Sequence, residues 1–233
     1  MTQDASLRSI HQMTPTVKQF QLELEEGTWE FQPGQHTVIH FEQDGEEVAR
    51  PYTPTSRPGT DTFTLAIKRY DDGTASVYMH EREPGDVIEV EEPDGNLYVR
   101  DYDSDVVFVS TGTGITPMVA MLKDYLDNGT GDAYFFFGEK TQDHLMYRET
   151  LDQLEAEHDN LTVVYSLSDE DWSGREGFVQ EHIDDVLTEI TSYDYYISGV
   201  PKMVVQTENL LAENDVPDDR IYSEGWESDV VGD

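Results

Sequence analysis

Three short segments of the sequence hold the residues that could do chemistry. Arg50-Pro51-Tyr52-Thr53 sets a guanidinium, a phenol ring and a hydroxyl side by side. On an extended strand residues two apart share a face, so Arg50 and Tyr52 project together. Pro51 lacks an amide hydrogen, which places the stretch on an edge or at a bend. A guanidinium suits a pyrophosphate through bidentate hydrogen bonds, and a phenol ring suits the face of a flat heterocycle. The segment fits a proline-rich edge strand with a surface arginine equally well. The second segment is Ser110-Thr111-Gly112-Thr113-Gly114-Ile115-Thr116-Pro117. Glycines there let the backbone approach a ligand, free amides at a helix start favour an anion, and Pro117 suits a first helical turn. The pattern falls short of the full G-x-G-x-x-G fingerprint, and its position after the first strand of a parallel unit is what points to a nucleotide. The third constellation pairs Ser198-Gly199-Val200-Pro201-Lys202-Met203 with Glu224-Gly225-Trp226 near the C-terminus. Strand carboxyl ends are where open parallel sheets bind ligands. By residue type alone, Met203 suits the core, and a near-terminal tryptophan is more often a packing anchor than a lid.

The elements that must position these residues fall into two halves. Up to about residue 100, short alternating runs (Val17 to Leu24, Thr37 to Phe41, Phe63 to Tyr70, Val87 to Val90) are separated by Pro33-Gly34, Asp44-Gly45, Pro58-Gly59, Asp71-Asp72-Gly73 and Pro84-Gly85. That spacing predicts an antiparallel barrel or sandwich, with a small barrel preferred. Phe20 sits slightly out of step with the Val17 alternation. Beyond Arg100 the pattern changes. Val106 to Val109, Ala133 to Phe137, Leu161 to Leu167 and Tyr195 to Ser198 read as buried strands, with helical stretches at Met118 to Asn128, Leu145 to His158 and Lys202 to Glu213. Alternation of this kind predicts a parallel sheet covered by helices. The boundary is expected between Asp101 and Asp105, giving units of residues 1–102 and 103–233.

Composition narrows the function classes. Fifty acidic residues face 14 basic ones, a formal charge of −36. Such a field repels nucleic-acid phosphates and anionic membranes, so neither is expected as the main partner. Disorder is not expected either, because 13 Tyr and 9 Phe supply large burial areas. The acids suggest a folded protein from a salt-rich cytoplasm, where a Debye length of roughly 3 Å screens self-repulsion. No run approaches the ~18 apolar residues that span a bilayer. Met1-Thr2-Gln3-Asp4 does not open a secretory signal, so a cytoplasmic protein is expected. Cysteine is absent, which excludes disulfides, a thiol nucleophile and a thiolate-held iron–sulfur cluster in this chain. The seven histidines show no metal-ligand spacing, and no metal is expected.

Taken together, the segments resemble the ferredoxin–NADP reductase superfamily over nearly the whole chain. Phe31-Gln32-Pro33-Gly34-Gln35 is similar to its F-x-P-G-Q opening, Arg50-x-Tyr52-Thr53 to its R-x-Y-[S/T] flavin motif, and Pro93-Asp94-Gly95 to its P-x-G turn. Gly112 to Pro117 is similar to its G-T-G-I-[A/T]-P loop, and Phe137-Gly138 with Asp143 and Tyr147 to a further nucleotide-side pattern. The resemblance implies a six-stranded antiparallel FAD-binding barrel followed by an α/β domain for NADPH or NADH. It implies that Arg50 and Pro51 meet the flavin pyrophosphate, that Tyr52 stacks on the ring system and that Thr53 bonds near flavin N5. Ile67, Lys68 and Arg69 would run beside the ribityl chain, and Gly73, Thr74, Ala75 and Ser76 would hold phosphate. Thr111, Gly112, Thr113, Gly114, Thr116 and Pro117 would cradle the dinucleotide, with Gly199 and Met203 alongside. Ser198 and Glu224 would flank the nicotinamide, and Trp226 would cover the flavin. Ser198 stands where many members carry cysteine, and the chain continues past Trp226. The Ser-Arg pair that reads a 2′-phosphate lacks its arginine after Ser166, leaving Arg175 as the substitute among Asp169, Glu170 and Asp171. Arg100, Lys123 and Lys140 are assigned to the nucleotide half. The implied partner is a ferredoxin or another small electron carrier met by a small, transient contact, and the chain is expected as a monomer or weak dimer. A flavin, quinone or ferric reductase and an electron-transfer subunit are the alternatives.

Overall fold

The computed structural model describes residues 2–225. The first half forms β1 (Thr2–Gln12), β2 (Val17–Leu24), β3 (Thr37–Gln43), β4 (Glu46–Tyr52), β5 (Thr62–Lys68), the short helix α1 (Ala75–His80) and β6 (Val87–Glu91). They pair antiparallel in the order β4-β3-β6-β1-β2-β5. Beyond the two outer strands, Thr55 N–H donates to Thr64 O at 2.9 Å, which draws the edges together into a barrel. The β3–β4 hairpin turns on Asp44 and Gly45, both at positive φ, as a two-residue Asp-Gly loop requires. Even-numbered Phe20, Leu22 and Leu24 point into the barrel core with Leu7, Ile39 and Val90. Val17 breaks the alternation for a tertiary reason. It lies on the opposite face of β2 and packs, with Ala66, Leu97 and Val99, into the core of the second half.

The second half runs β7 (Val106–Thr111), α2 (Ile115–Asn128), β8 (Ala133–Glu139), α3 (Arg148–Glu157), β9 (Leu161–Leu167), β10 (Arg175–Glu176), α4 (Ile183–Val186), β11 (Asp194–Gly199), α5 (Pro201–Glu213) and β12 (Ile221–Gly225). The sheet is parallel in the order β10-β9-β8-β7-β11-β12. Val106 and Phe108 face the α2 and α3 side, while Val107 and Val109 face the α5 side. Burial on both faces is why β7 reads as an unbroken apolar run. The strand order reverses between β7 and β11, so the crevice at their carboxyl ends is the topological switch point.

Five elements were not expected from sequence: β1, α1, β12 and the short β10 and α4. β1 fully buries Ala5 and Leu7 alone among its residues, and a register shift between Leu7 and Ser9 breaks its alternation. α1 is too short to show helical periodicity, yet Ala75 and Met79, four residues apart, plug the barrel core. β12 is a five-residue edge strand held only by β11.

Six of the 14 cations that could offset the carboxylates sit in ion pairs among the described residues, most of them at the surface. Arg8–Glu23 and Arg148–Asp152 are examples, and exposed pairs contribute little. The thermal midpoint is therefore expected to rise steadily from dilute buffer to molar KCl, as screening suppresses repulsion among the acids. Equal midpoints in calorimetric scans at the two salt levels would show that self-repulsion is not a term in stability.

Candidate active site

The floor of the site is backbone. Thr111 ends β7, Gly112 turns at φ +57°, and Gly112–Gly114 winds a single 3-10 turn that runs directly into α2. The helix starts at Ile115, ahead of the expected Met118, because the loop itself is helical and Pro117 needs no intrahelical donor in the first turn. Thr116 Oγ1 donates to Thr113 O at 2.9 Å and fixes the turn. Gly114 is required by close approach, since a Cβ there would strike the Ser198 carbonyl and lie 2.5 Å from Gly199 Cα. Val200 N–H in turn donates to Thr111 Oγ1 at 3.1 Å. The ends of β7 and β11 thus form one continuous surface. Beside Gly112 the space is open: apart from its chain neighbours, no atom of the described residues lies within 4 Å of where a Cβ would stand.

Ser198 on β11 is in register with Ser110 on β7 and with Glu224 on β12. Ser198 is fully buried, and its Oγ has no hydrogen-bond partner within the described residues; the same holds for Glu224 Oε2 and Thr53 Oγ1. A buried polar atom left unpaired costs about 1–3 kcal/mol and calls for an explanation. Burial pushes the Glu224 carboxyl up, and the nearby His36 of the barrel opposes the shift. The groups left over, two hydroxyls and a carboxyl whose ionisation burial disfavours, suit the polar edges of a flat heterocycle.

On the barrel side, Arg50 and Tyr52 share a face of β4, opposite Ile39 and Thr37 of β3. Arg50 Nη1 donates to the neighbouring Ala49 O at 2.8 Å, and among the described residues it makes no ion pair. Burial pushes the Tyr52 phenol up, with Arg50 opposing. Tyr70 feels Tyr52 and reaches across to Thr113 in the turn before α2, so the barrel face and the glycine turn border one cleft. Lys68 acts on the buried Glu139 at the end of β8, whose carboxyl is raised by that burial. Gly73 N–H closes a turn on Tyr70 O at 3.1 Å, Thr74 precedes α1, and Ser76 Oγ accepts from Tyr70 N–H at 3.3 Å. Arg69 N–H is bound to Thr16 O at 2.8 Å.

Several expected site residues are placed elsewhere. The Ile67 side chain lies in the barrel core and its carbonyl accepts from His80 Nε2 at 2.8 Å, because the strand pleat turns it away from Lys68. Met203 packs in the core beneath α5, as its type suggested. Arg100 is sandwiched over Tyr98 and Tyr222, at 3.7 Å and 5.5 Å from the ring centres, and Lys123 reaches back to the barrel. Ser166 and Arg175 are brought into register by β10, but Ser166 Oγ donates to Gly177 O at 2.7 Å and Arg175 faces Asp185 at 3.5 Å. Trp226 lies outside the described residues.

Comparison with known proteins matches residues 4–98 to the oxidoreductase FAD-binding domain and residues 108–209 to the oxidoreductase NAD-binding domain. Ferredoxin–NADP reductase B of Sorangium cellulosum (strain So ce56) is 31% identical over 238 residues, covering 96% of this chain and 97% of that protein. The chain belongs to the ferredoxin–NADP reductase family. It is an FAD-dependent NAD(P)H oxidoreductase. The anthranilate 1,2-dioxygenase electron transfer component of Acinetobacter baylyi is 27% identical over 84% of this chain, which spans only 58% of that relative. In fold, the reductase superposes on the FAD/NAD-binding domain of nitric oxide dioxygenase from Vibrio cholerae with a TM-score of 0.89 at 21% identity, covering 96% and 98% of the two chains. The resemblance read from the motifs holds, and so does the two-sheet architecture.

Sequence reasoning missed Tyr70, His36 and Glu139 in the cleft of the reductase. Each directly follows or lies close behind a recognised segment (Lys68-Arg69, the F-x-P-G-Q stretch, Phe137-Gly138), which is the one signal that could have found them. Glu224 yields a stability test. Its folded carboxyl titrates above the ordinary range, so the cost of ionising it is absent in acid and grows as pH rises through that raised value. Glu224→Gln is expected to match the wild-type melting temperature in acid and exceed it at neutral pH, by paired thermal melts. A variant less stable at neutral pH would mean that the ionised carboxylate has a stabilising partner.

Proposed function

We propose that the orphaned hydroxyls and carboxyl of Thr53, Ser198 and Glu224 mark where flavin and nicotinamide meet. The observation that carries this reading is that these three groups are buried and, among the described residues, without hydrogen-bond partners, Thr53 just past the end of β4 and Ser198 and Glu224 in register on β11 and β12. Residues 1–102 hold FAD and residues 103–233 hold the nucleotide. Arg50 and the turn at Gly73, Thr74, Ala75 and Ser76 bind flavin phosphates, with Pro51 shaping the strand edge and Tyr52 offering its ring to the isoalloxazine. Thr53 donates or accepts a hydrogen bond at the flavin edge. Thr111 to Thr113, Gly114, Thr116 and Pro117 take the dinucleotide pyrophosphate, and Gly199 keeps the wall free of side chain. Ser198 and Glu224 orient the nicotinamide amide and exclude water from it. Bound FAD supplies the redox chemistry, taking up a hydride and giving up electrons singly. The protein supplies alignment.

The nucleotide choice follows from charge around Ser166. Its hydroxyl is committed, Arg175 is shared with Asp185, and Asp169, Glu170 and Asp171 follow β9. That surrounding repels a 2′-phosphate and favours NADH, although the Sorangium relative carries NADP in its name. For the acceptor, the names of the relatives favour a ferredoxin or another small one-electron carrier over quinone or ferric chelate. Arg8, Arg57, Arg82, Arg148, Arg175 and Arg220 all lie against carboxylates. Few cations remain for a basic docking face, and the contact is small, made at the exposed flavin edge by a monomeric or weakly dimeric protein.

Arg50→Ala is expected to weaken FAD binding by about 2 kcal/mol, a lost charge-assisted pair, measured by flavin titration of the apoprotein. Unaltered affinity would remove Arg50 from the flavin site. Steady-state kinetics should give a higher kcat/KM for NADH than for NADPH, and the reverse order would mean that Arg175 leaves Asp185 for a 2′-phosphate. In stopped flow, the pre-reduced protein should pass electrons to ferredoxin at a rate nearly independent of KCl in the molar range. Rapid turnover of quinone or ferric chelate, without transfer to ferredoxin, would favour the alternative acceptors.

A further inference from the structure

Thr55, two residues beyond Thr53, is tied both to the barrel and to the nucleotide half. Within the barrel, its N–H donates to Thr64 O at 2.9 Å and its hydroxyl lies 2.9 Å from Thr64 Oγ1. The next residue continues the clamp, with Ser56 Oγ accepting from Thr64 N–H at 3.2 Å. From the other half, Tyr147 OH donates to Thr55 Oγ1 at 3.1 Å and Lys123 Nζ to Thr55 O at 3.4 Å. Arg57 then pairs with Asp127 at 2.5 Å. Thr55 and Arg57, two apart in the loop after β4, therefore meet Lys123 and Asp127, four apart on α2.

The two partners from the nucleotide half are costly to place there. Lys123 is desolvated, which lowers its pKa, and it lies 5.8 Å from the Tyr147 ring centre without a carboxylate of its own among the described residues. Burial pushes the Tyr147 hydroxyl up to about 12, and the residue adopts φ +55° just before α3. A desolvated ammonium and a tyrosine at positive φ, both half-buried at a domain junction, need a reason beyond surface packing. Their position supplies one. α2 begins at the Gly112–Gly114 turn, and Lys123 lies eight residues on from Ile115, about 12 Å along a rigid helix. One rod thus joins the nucleotide loop to the strand end that carries Thr53.

We propose that Lys123 and Tyr147 are positioning residues that, by holding Thr55, set the approach of the nucleotide to the flavin. This rests on the assignment of Thr53 and the glycine turn made above. Neither side chain touches the reacting atoms; each acts through Thr55, and a displacement of an ångström at the reacting pair is enough to slow transfer greatly.

The test uses the FAD-loaded full chain and whichever of NADH and NADPH the wild type oxidises faster. Tyr147→Phe and Lys123→Met are each expected to lower the limiting rate of flavin reduction about 10-fold. Nucleotide Kd and bound FAD should stay within about twofold of wild type, and the long-wavelength charge-transfer absorbance of the complex should weaken. Lys123→Arg should restore most of the rate. Wild-type rates and absorbance in both variants would overturn the proposal, as would a loss of rate that merely tracks lost FAD and disappears when FAD is added. Thr53→Ala separates the two levels. If it slows reduction while Tyr147→Phe does not, only the positioning role fails. If Thr53→Ala reduces at the wild-type rate, the underlying site assignment fails and takes this proposal with it.

Discussion

The site rests on the contact between two pieces of bare backbone. Gly114 lies so near the Ser198 carbonyl and Gly199 Cα that no side chain fits between them. That contact brings the end of β7 against the end of β11 at the point where the strand order reverses. It sets Ser198 in register with both Ser110 and Glu224 and leaves space beside Gly112. A methyl group at Gly114 would force the two strand ends apart, and the alignment of Ser198, Glu224 and the helix start would go with them. A hydrogen bond can be bent and still function, whereas two backbones at van der Waals contact have no such tolerance.

The crevice so formed is poor as a structure and good as a binding site. Thr53 Oγ1, Ser198 Oγ and Glu224 Oε2 are shielded from water without a hydrogen-bond partner among the described residues, each at some cost to stability. Large buried cores on either side offset that cost. Phe108, Phe135 and Tyr196 pack on one face of the parallel sheet, and Phe20, Leu22 and Ile39 fill the barrel. Val17, Ala66, Leu97 and Val99 extend the first of these cores across the junction. The junction is therefore apolar where these residues meet, with polar contacts such as those of Thr55 with Lys123 and Tyr147 beside it. An apolar contact suits a chain with so many acids, because it holds the halves together without relying on opposed charges.

Electrostatics divides the surface unevenly. Most arginines lie against a nearby carboxylate, but Arg50 does not, and Lys68 faces a carboxyl, Glu139, that burial pushes toward its neutral form. Positive charge thus persists beside the cleft of a strongly acidic molecule. Such focusing attracts anionic phosphates at short range even where salt removes long-range steering.

How much of this was legible beforehand depended on the distance over which each feature is specified. β2 and β9 were readable to the residue, because burial on one or both faces writes a local period into the chain. The Arg50, Gly112 and Ser198 segments were readable too, since their chemistry resides in adjacent residues. α1 and β12 were not, being too short to carry a period, and neither was the role of Val17, whose odd phase reports a neighbour about a hundred residues away. Two placements were not legible for related reasons: the pleat turned the Ile67 side chain into the barrel, and the packing of the halves brought Lys123 of α2 against Thr55. Sequence by itself determined which elements form and which groups could bind a flavin and a nucleotide, because propensity, turn chemistry and motif spacing act over a few residues. Only the tertiary structure decided which of those groups share the cleft and which are left unpaired there, because that depends on the pleat of each strand and on contacts between residues far apart in the chain.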